Sequence, residues 1–237
     1  MNLASLIDFD LIEKQGYQSI TGYGLDFEKL VQEIRDDFHI YFSPRMECDY
    51  HHFNTLVYSD DLAENPKNGG FHTDFSWTLK PPRYIVMLCL EEDPKSPYFG
   101  LNQVVVGEHI VQGLMDIFGL SYDEVLNIKL PYVVGNEVWR NLFYVQENTN
   151  RLMMRYHFEY IDHHLAKTVQ IGDYPLNCLI DALANQYSEV ILNKKGDLLI
   201  VDNYFALHKR TQATVQFNQD CTFKSRELVT VRFDRKE

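Results

Sequence analysis

Apolar positions along this chain follow two rhythms. From Leu25 they fall at Phe27, Leu30, Val31, Ile34 and Phe38, the three-and-four spacing of a helix with one buried face, ending before Pro44. The same spacing returns from Glu108, with Ile110, Val111, Leu114, Met115 and Ile117 closed by Gly119. Ser121 to Asn127 predicts a second short helix, with Ser121 as N-cap and Glu124 completing a capping box. Leu176 to Tyr187 carries Leu176, Leu179, Ile180, Leu183 and Tyr187 on one side, again helical.

The other rhythm is that of strands. Tyr84 to Leu90 and Leu101 to Val106 are short apolar runs suited to buried strands, separated by a turn-forming Glu-Glu-Asp-Pro-Lys-Ser-Pro segment. Pro131 to Asp162 predicts several more: Pro-Tyr-Val-Val-Gly, Asn-Leu-Phe-Tyr-Val, and Arg151 to Glu159. Val190 to Asn193 and Asp197 to Asp202, joined across Lys-Lys-Gly196, predict a hairpin, and Glu227 to Phe233 a last strand. Many short strands with a few covering helices predict a mainly β fold with flanking helices, a jelly-roll barrel of two sheets. No repeat, low-complexity tract or linker interrupts residues 1–237, so one domain is expected.

Composition supports a globular chain: 45% of residues are hydrophobic and 14% aromatic, and aromatic side chains suit a half-buried pleated surface. The formal net charge of -12, with no more than two consecutive Lys or Arg, argues against nucleic acid as a partner. The acidic residues come in small groups expected to form solvated faces, with attraction for a cationic or zwitterionic small molecule as a lesser reading. Cys48, Cys89, Cys178 and Cys221 are too scattered for a zinc pair, and Cys89 and Cys178 sit in apolar surroundings that predict core positions. Met1 opens on Asn-Leu-Ala-Ser-Leu-Ile-Asp with no basic stretch before an apolar core, so no secretory signal is expected. The apolar runs are too short to span a bilayer, so no membrane is expected, and cytoplasm is the expected compartment.

Candidate chemistry centres on Gly69-Gly-Phe-His72-Thr-Asp74, which is followed by Pro81-Pro82. In extended chain, residues two apart share a face, so His72 and Asp74 project together. One imidazole and one carboxylate form two thirds of a facial site, and a second His would complete the set that favours non-haem Fe(II). His157-Phe-Glu159 has the same spacing and is a rival. His51 and His52 are adjacent, so in a strand they face opposite ways.

Downstream, Gly196-Asp-Leu-Leu-Ile-Val-Asp202-Asn203 is followed by His208-Lys-Arg210, with His208 lying 134 positions after Asp74. With the upstream His-x-Asp and the Pro-Pro beyond it, this combination resembles the Fe(II)- and 2-oxoglutarate-dependent oxygenases of the taurine dioxygenase and clavaminate synthase group. The resemblance covers roughly Gly69 to Phe233. It implies a double-stranded β-helix, iron ligands at His72, Asp74 and His208, and 2-oxoglutarate with O2 as cosubstrates. His157 and Glu159, lacking the flanking pattern, then line the barrel or pair with Arg155.

The resemblance also implies a late-strand arginine for the far carboxylate of 2-oxoglutarate, for which Ser225-Arg226-Glu-Leu-Val-Thr230 offers Arg226. A permanently charged, two-pronged donor suits that carboxylate better than lysine does. Arg232, on the same strand face, is the alternative. Two departures stand out. Thr230 replaces the second arginine of the group's Arg-x-x-x-Arg pattern, which argues against a sulfonated substrate. Asn102 stands where the group commonly has a threonine that touches the 2-oxo acid, and its amide can donate there instead. Arg210 is expected to be structural, pairing with Asp202. Phe75, Trp77, Tyr204 and Phe205 flank the ligands, as pocket wall or as core.

The reaction implied is hydroxylation, or desaturation, of an unactivated C-H in a free or carrier-bound amino acid or a related small molecule. Halogenation is disfavoured, because Asp74 fills the position a halide would take. A non-catalytic cupin-like barrel that binds metal or ligand is the alternative, and it has no need of Arg226.

Overall fold

The computed structural model describes residues 2–42, 48–59, 64–78, 80–133, 139–146 and 151–236. Two antiparallel sheets face each other. The larger runs in the order Tyr17–Ile20, Leu198–Asp202, Tyr84–Glu91, Glu227–Arg235. The last of these carries Tyr50–Asn54 on its first half and Phe38–Ile40 on its second. The smaller places Asn102–Val106 between Glu189–Ile191 and Ala206–Arg210.

Alternation along the strands sorts the side chains into three layers. Tyr84, Val86 and Leu88, with Val229, Val231 and Phe233, point away from the smaller sheet and bury Leu30 and Ile34 of the helix Phe27–Asp37. Ile85, Met87, Leu199 and Leu228 point the other way and meet Val104, Ile191 and Ala206 between the sheets. Beyond the smaller sheet, Val105 and Leu207 pack on Ile110 and Leu114 of the helix Gly107–Phe118 and on Ile180 and Leu183 of Leu176–Tyr187. Glu227–Arg235 breaks this logic on its inner face, where Thr230 and Arg232 alternate with the apolar outer residues, and Arg226 precedes it. Buried polar side chains between two sheets mark the site.

The expected helices form, including the Ser121 and Glu124 capping box on Tyr122–Leu126. Three expectations fail, one of them the strand expected from Arg151 to Glu159, which ends at Met154 and gives way to a 3-10 turn over Phe158–Tyr160. Val190 and Ile191 pair with Asn102–Val106, whereas Leu198–Asp202 pairs with Tyr17–Ile20 and Tyr84–Glu91, so the turn at Gly196 joins two sheets rather than closing a hairpin. Local pattern fixes a strand but not its partner. Cys178 is exposed, because the buried side of its helix runs through Leu176, Asn177 and Ile180. In the 131–162 region, Lys129–Pro131 pairs with Trp139–Asn141 and Phe143–Gln146 with Arg151–Met154. Pro44 and the Val134-Gly135 pair lie outside the described residues. Among the described residues no helix is long and apolar enough to cross a membrane.

Candidate active site

A cavity of about 330 Å³ opens between the sheets, and His72, Asp74, His208, Asn102 and Arg226 all line it. His72 and His208 come together through the backbone. Each donates its N–H to the other's carbonyl at 3.0 Å, the hydrogen-bonded pair of an antiparallel ladder, which sets the two side chains beside each other on one face. Their rings lie 4.4 Å apart. On its other side His72 bridges to His157, where Thr73 N–H donates to the Tyr156 carbonyl at 2.7 Å.

Asp74 sits at the start of a turn rather than in a strand. Asn203 fixes its backbone from both ends, the side-chain oxygen accepting from Asp74 N–H at 2.6 Å and the amide nitrogen donating to the Asp74 carbonyl at 2.9 Å. Asp74 Oδ1 thereby lies 3.4 Å from His72 Nε2 and 3.7 Å from His208 Nε2. The donor atoms of all three residues lie within 4.8 Å of one another, close enough to share one metal ion.

The protonation states suit that use. His72 Nδ1 is 2.9 Å from the Gly70 carbonyl, which can only accept, so Nδ1 carries a proton and Nε2 faces Asp74. Burial opposes charge on His72, but the bond to Asp74 outweighs it and leaves its pKa raised. Burial likewise opposes the charged form of Asp74. The Arg232 guanidinium and then His72 override this and hold the carboxyl well below its ordinary range. Burial and the neighbouring His72 push His208 down to about 3, a neutral imidazole. A metal ion would replace the proton between His72 and Asp74. Two imidazoles and one carboxylate with positions left open are the set that Fe(II) accepts.

Deeper in the cavity, Arg226 is 7% exposed and donates to Asn102 Oδ1 at 2.9 Å. Among the described residues no carboxylate lies within ion-pairing distance of it. Burial, and then the like charge of Arg210, lower its pKa to about 10. A buried guanidinium without a counterion is costly. An anion entering the cavity would meet it.

His157 and Glu159 line the cavity but are not in the metal-holding cluster. Burial and His72 push His157 down to about 2, so it is a neutral aromatic there. Phe75 and Trp77 form cavity wall, whereas Phe205 packs under Arg151 and the Tyr204 hydroxyl donates to the Pro81 carbonyl. Arg210 does not pair with Asp202. It donates to the carbonyls of Asn65 and Thr211, while Asp202 is held by Arg83 and Arg151. Arg232 Nε donates to Asp74 Oδ2 at 2.5 Å, and its side chain also lines the cavity. The roles of Asn203 and Arg232 went unread in the sequence. For Asn203 the signal was its place directly after the apolar strand Leu198–Asp202.

No known sequence family matches the chain, and no curated protein is similar to it in sequence. Solved structures share its fold. An asparagine oxygenase in complex with Fe(II), 2S,3S-3-hydroxyasparagine and succinate matches with a TM-score of 0.71 over 97% of this chain and 79% of its own, at 13% identity. The non-heme iron oxygenase OrfP, in complex with Fe, succinate and (3S)-hydroxy-L-Arg, gives 0.65 over 98% and 79%, at 16% identity. A taurine dioxygenase from Burkholderia xenovorans gives 0.67 over 100% and 83%, at 14% identity. The chain has the fold of these oxygenases.

Proposed function

We propose that this chain is a non-haem Fe(II)- and 2-oxoglutarate-dependent dioxygenase. It hydroxylates, or desaturates, an unactivated C-H of a small molecule of the amino-acid class. Residues 1–237 form one domain, a double-stranded β-helix. The observation that carries the reading is one cavity that joins the His72, Asp74 and His208 cluster to the buried guanidinium of Arg226, which has no ion pair among the described residues.

In this reading His72, Asp74 and His208 hold the iron. Arg226 would bind the far carboxylate of 2-oxoglutarate, oriented by Asn102 Oδ1, and the Asn102 amide nitrogen, which reaches Asn193 Oδ1 at 3.4 Å, would be a second contact. When bound, iron with 2-oxoglutarate supplies oxygen activation coupled to decarboxylation to succinate and CO2. Ile85, Met87 and Leu228 give the cavity apolar walls that keep water from the reacting centre. Phe75, Trp77, His157 and Tyr160 form an aromatic wall on the side of His72, and Glu159 stands beside it.

Charge in the cavity refines the substrate. Lys209, Arg210, Arg226 and Arg232 line it against Asp74 and Glu159, so the acidic excess of the whole chain does not extend inside. That balance gives no preference for a simple cation. The bound products of the asparagine oxygenase and of OrfP are hydroxylated amino acids. A non-catalytic barrel would have no use for the buried Arg226.

Anaerobic protein titrated with Fe(II) and then 2-oxoglutarate is expected to develop a weak charge-transfer band in the green. Succinate release across a panel of free and carrier-tethered amino acids then identifies the substrate. Protein that binds iron but shows no band with 2-oxoglutarate would refute the oxygenase reading.

A further inference from the structure

The two oxygens of Asp74 face different partners. Oδ1 is turned to the Nε2 atoms of His72 and His208, at 3.4 and 3.7 Å. Oδ2 accepts from Arg232 Nε at 2.5 Å. A guanidinium cannot lose its proton in a protein, so this donor is permanent. It is also fixed in place: its carbon lies 5.2 Å from the centre of the Phe75 ring, and Phe75 is itself buried and packed against Trp77 and Tyr41. Asn203 already clamps the backbone of Asp74. The freedom left to the residue is rotation of its carboxylate, and Arg232 removes it.

We propose that Arg232 is a positioning residue that keeps Asp74 a one-oxygen ligand. The assignment rests on the oxygenase reading. A 2-oxo acid chelates through two atoms and oxygen needs a third position, so three protein donors must occupy only three positions. A carboxylate free to turn could offer both oxygens and take a fourth. Arg232 prevents this by engaging Oδ2 itself. Neutralising part of the carboxylate charge also moderates the hold on the metal, so losing the arginine would weaken cosubstrate binding without weakening metal binding.

The test uses the full chain stripped of metal with a chelator and loaded with Co(II), whose visible absorption reports coordination. Metal affinity and 2-oxoglutarate affinity are measured separately by calorimetry for wild type, Arg232→Met and Arg232→Lys. Arg232→Met is expected to bind Co(II) as tightly as wild type or more tightly, with an altered Co(II) spectrum. Its 2-oxoglutarate affinity should fall by about tenfold or more, the scale of losses when a ligand's supporting partner is removed. Arg232→Lys should recover part of that loss, and it provides the comparison by itself if Arg232→Met does not fold.

Binding of 2-oxoglutarate to the metal-free protein separates two roles, with Arg226→Met as the control that lowers it. If Arg232 acts through Asp74 and the metal, Arg232→Met leaves the metal-free affinity unchanged. A loss already present without metal would mean that Arg232 binds the diacid directly, and would overturn the assignment. So would unchanged 2-oxoglutarate affinity and an unchanged spectrum in folded, Co(II)-loaded Arg232→Met. If wild-type Co(II) protein binds no 2-oxoglutarate, the oxygenase reading fails, and this assignment fails with it.

Discussion

At the residue scale, the cluster and the guanidinium make separable predictions. His208→Ala removes one of three donors while leaving Arg226 in place. The variant should lose Fe(II) binding in anaerobic titration and keep its fold by circular dichroism. Arg226→Met should have the reverse profile, binding metal normally while 2-oxoglutarate affinity drops by about 3 kcal/mol, roughly a hundredfold, the cost of truncating one partner of a buried charge pair. Arg226→Lys keeps the charge but loses the two-pronged geometry, and should fall between the two. Calorimetry with metal and 2-oxoglutarate added in turn distinguishes the three variants.

At the scale of elements, the segment before His72 is as constrained as the ligand itself. A Cβ at Gly70 would stand 2.7 Å from Phe158 Cβ, an atom too close to its own backbone to give way. The Gly70 carbonyl is also the acceptor that orients His72. Gly70→Ala should therefore destabilise the fold by about 1–3 kcal/mol, the usual cost of overpacking, and weaken metal binding as well. Chemical denaturation and metal titration of the same preparation would show both effects.

This level also shows what the sequence could and could not disclose. Strands such as Tyr84–Glu91 and Glu227–Arg235 were legible because alternation is a property of each strand alone. For the same reason the two-residue spacing of His72 and Asp74 placed them together, although Asp74 begins a turn, and Arg226 fell on the inner face shared with Thr230. Pairing was not legible. Val190–Ile191 and Leu198–Asp202 looked like two arms of a hairpin because each is apolar and a glycine turn lies between them, yet the choice of neighbour is made by distant strands. The bond from Arg232 to Asp74 was hidden likewise, since it joins residues far apart that no local pattern connects. Cys178 misled because an apolar neighbourhood in sequence does not say which side of a helix a residue takes.

Over the whole molecule, one buried carboxylate ties distant segments together. Asp202 is fully buried and lies 3.0 Å from Arg151 and 3.4 Å from Arg83. Arg83 also reaches Glu13 of the N-terminal helix Phe9–Gln15 at 2.6 Å. Burial outweighs both arginines and leaves the Asp202 pKa raised, a sign of how completely water is excluded. Asp202→Asn would leave two guanidiniums facing an uncharged amide, and removing one partner of such a buried group costs about 3–5 kcal/mol. A lower denaturation midpoint, with metal affinity nearly preserved, is the expected result.

The mutual backbone bonds of His72 and His208 bear on how the proposed metal site would fill and empty. They close the long excursion between the two histidines during folding, so the ordering entropy of that loop is not charged to metal uptake. Small zinc modules, whose unfolded chains wrap around the ion, behave in the opposite way. Here the demetallated protein should keep its near-ultraviolet circular dichroism, and iron should leave and return without the chain unravelling. A site closed by its own backbone in this way would stay assembled whether or not an ion occupies it.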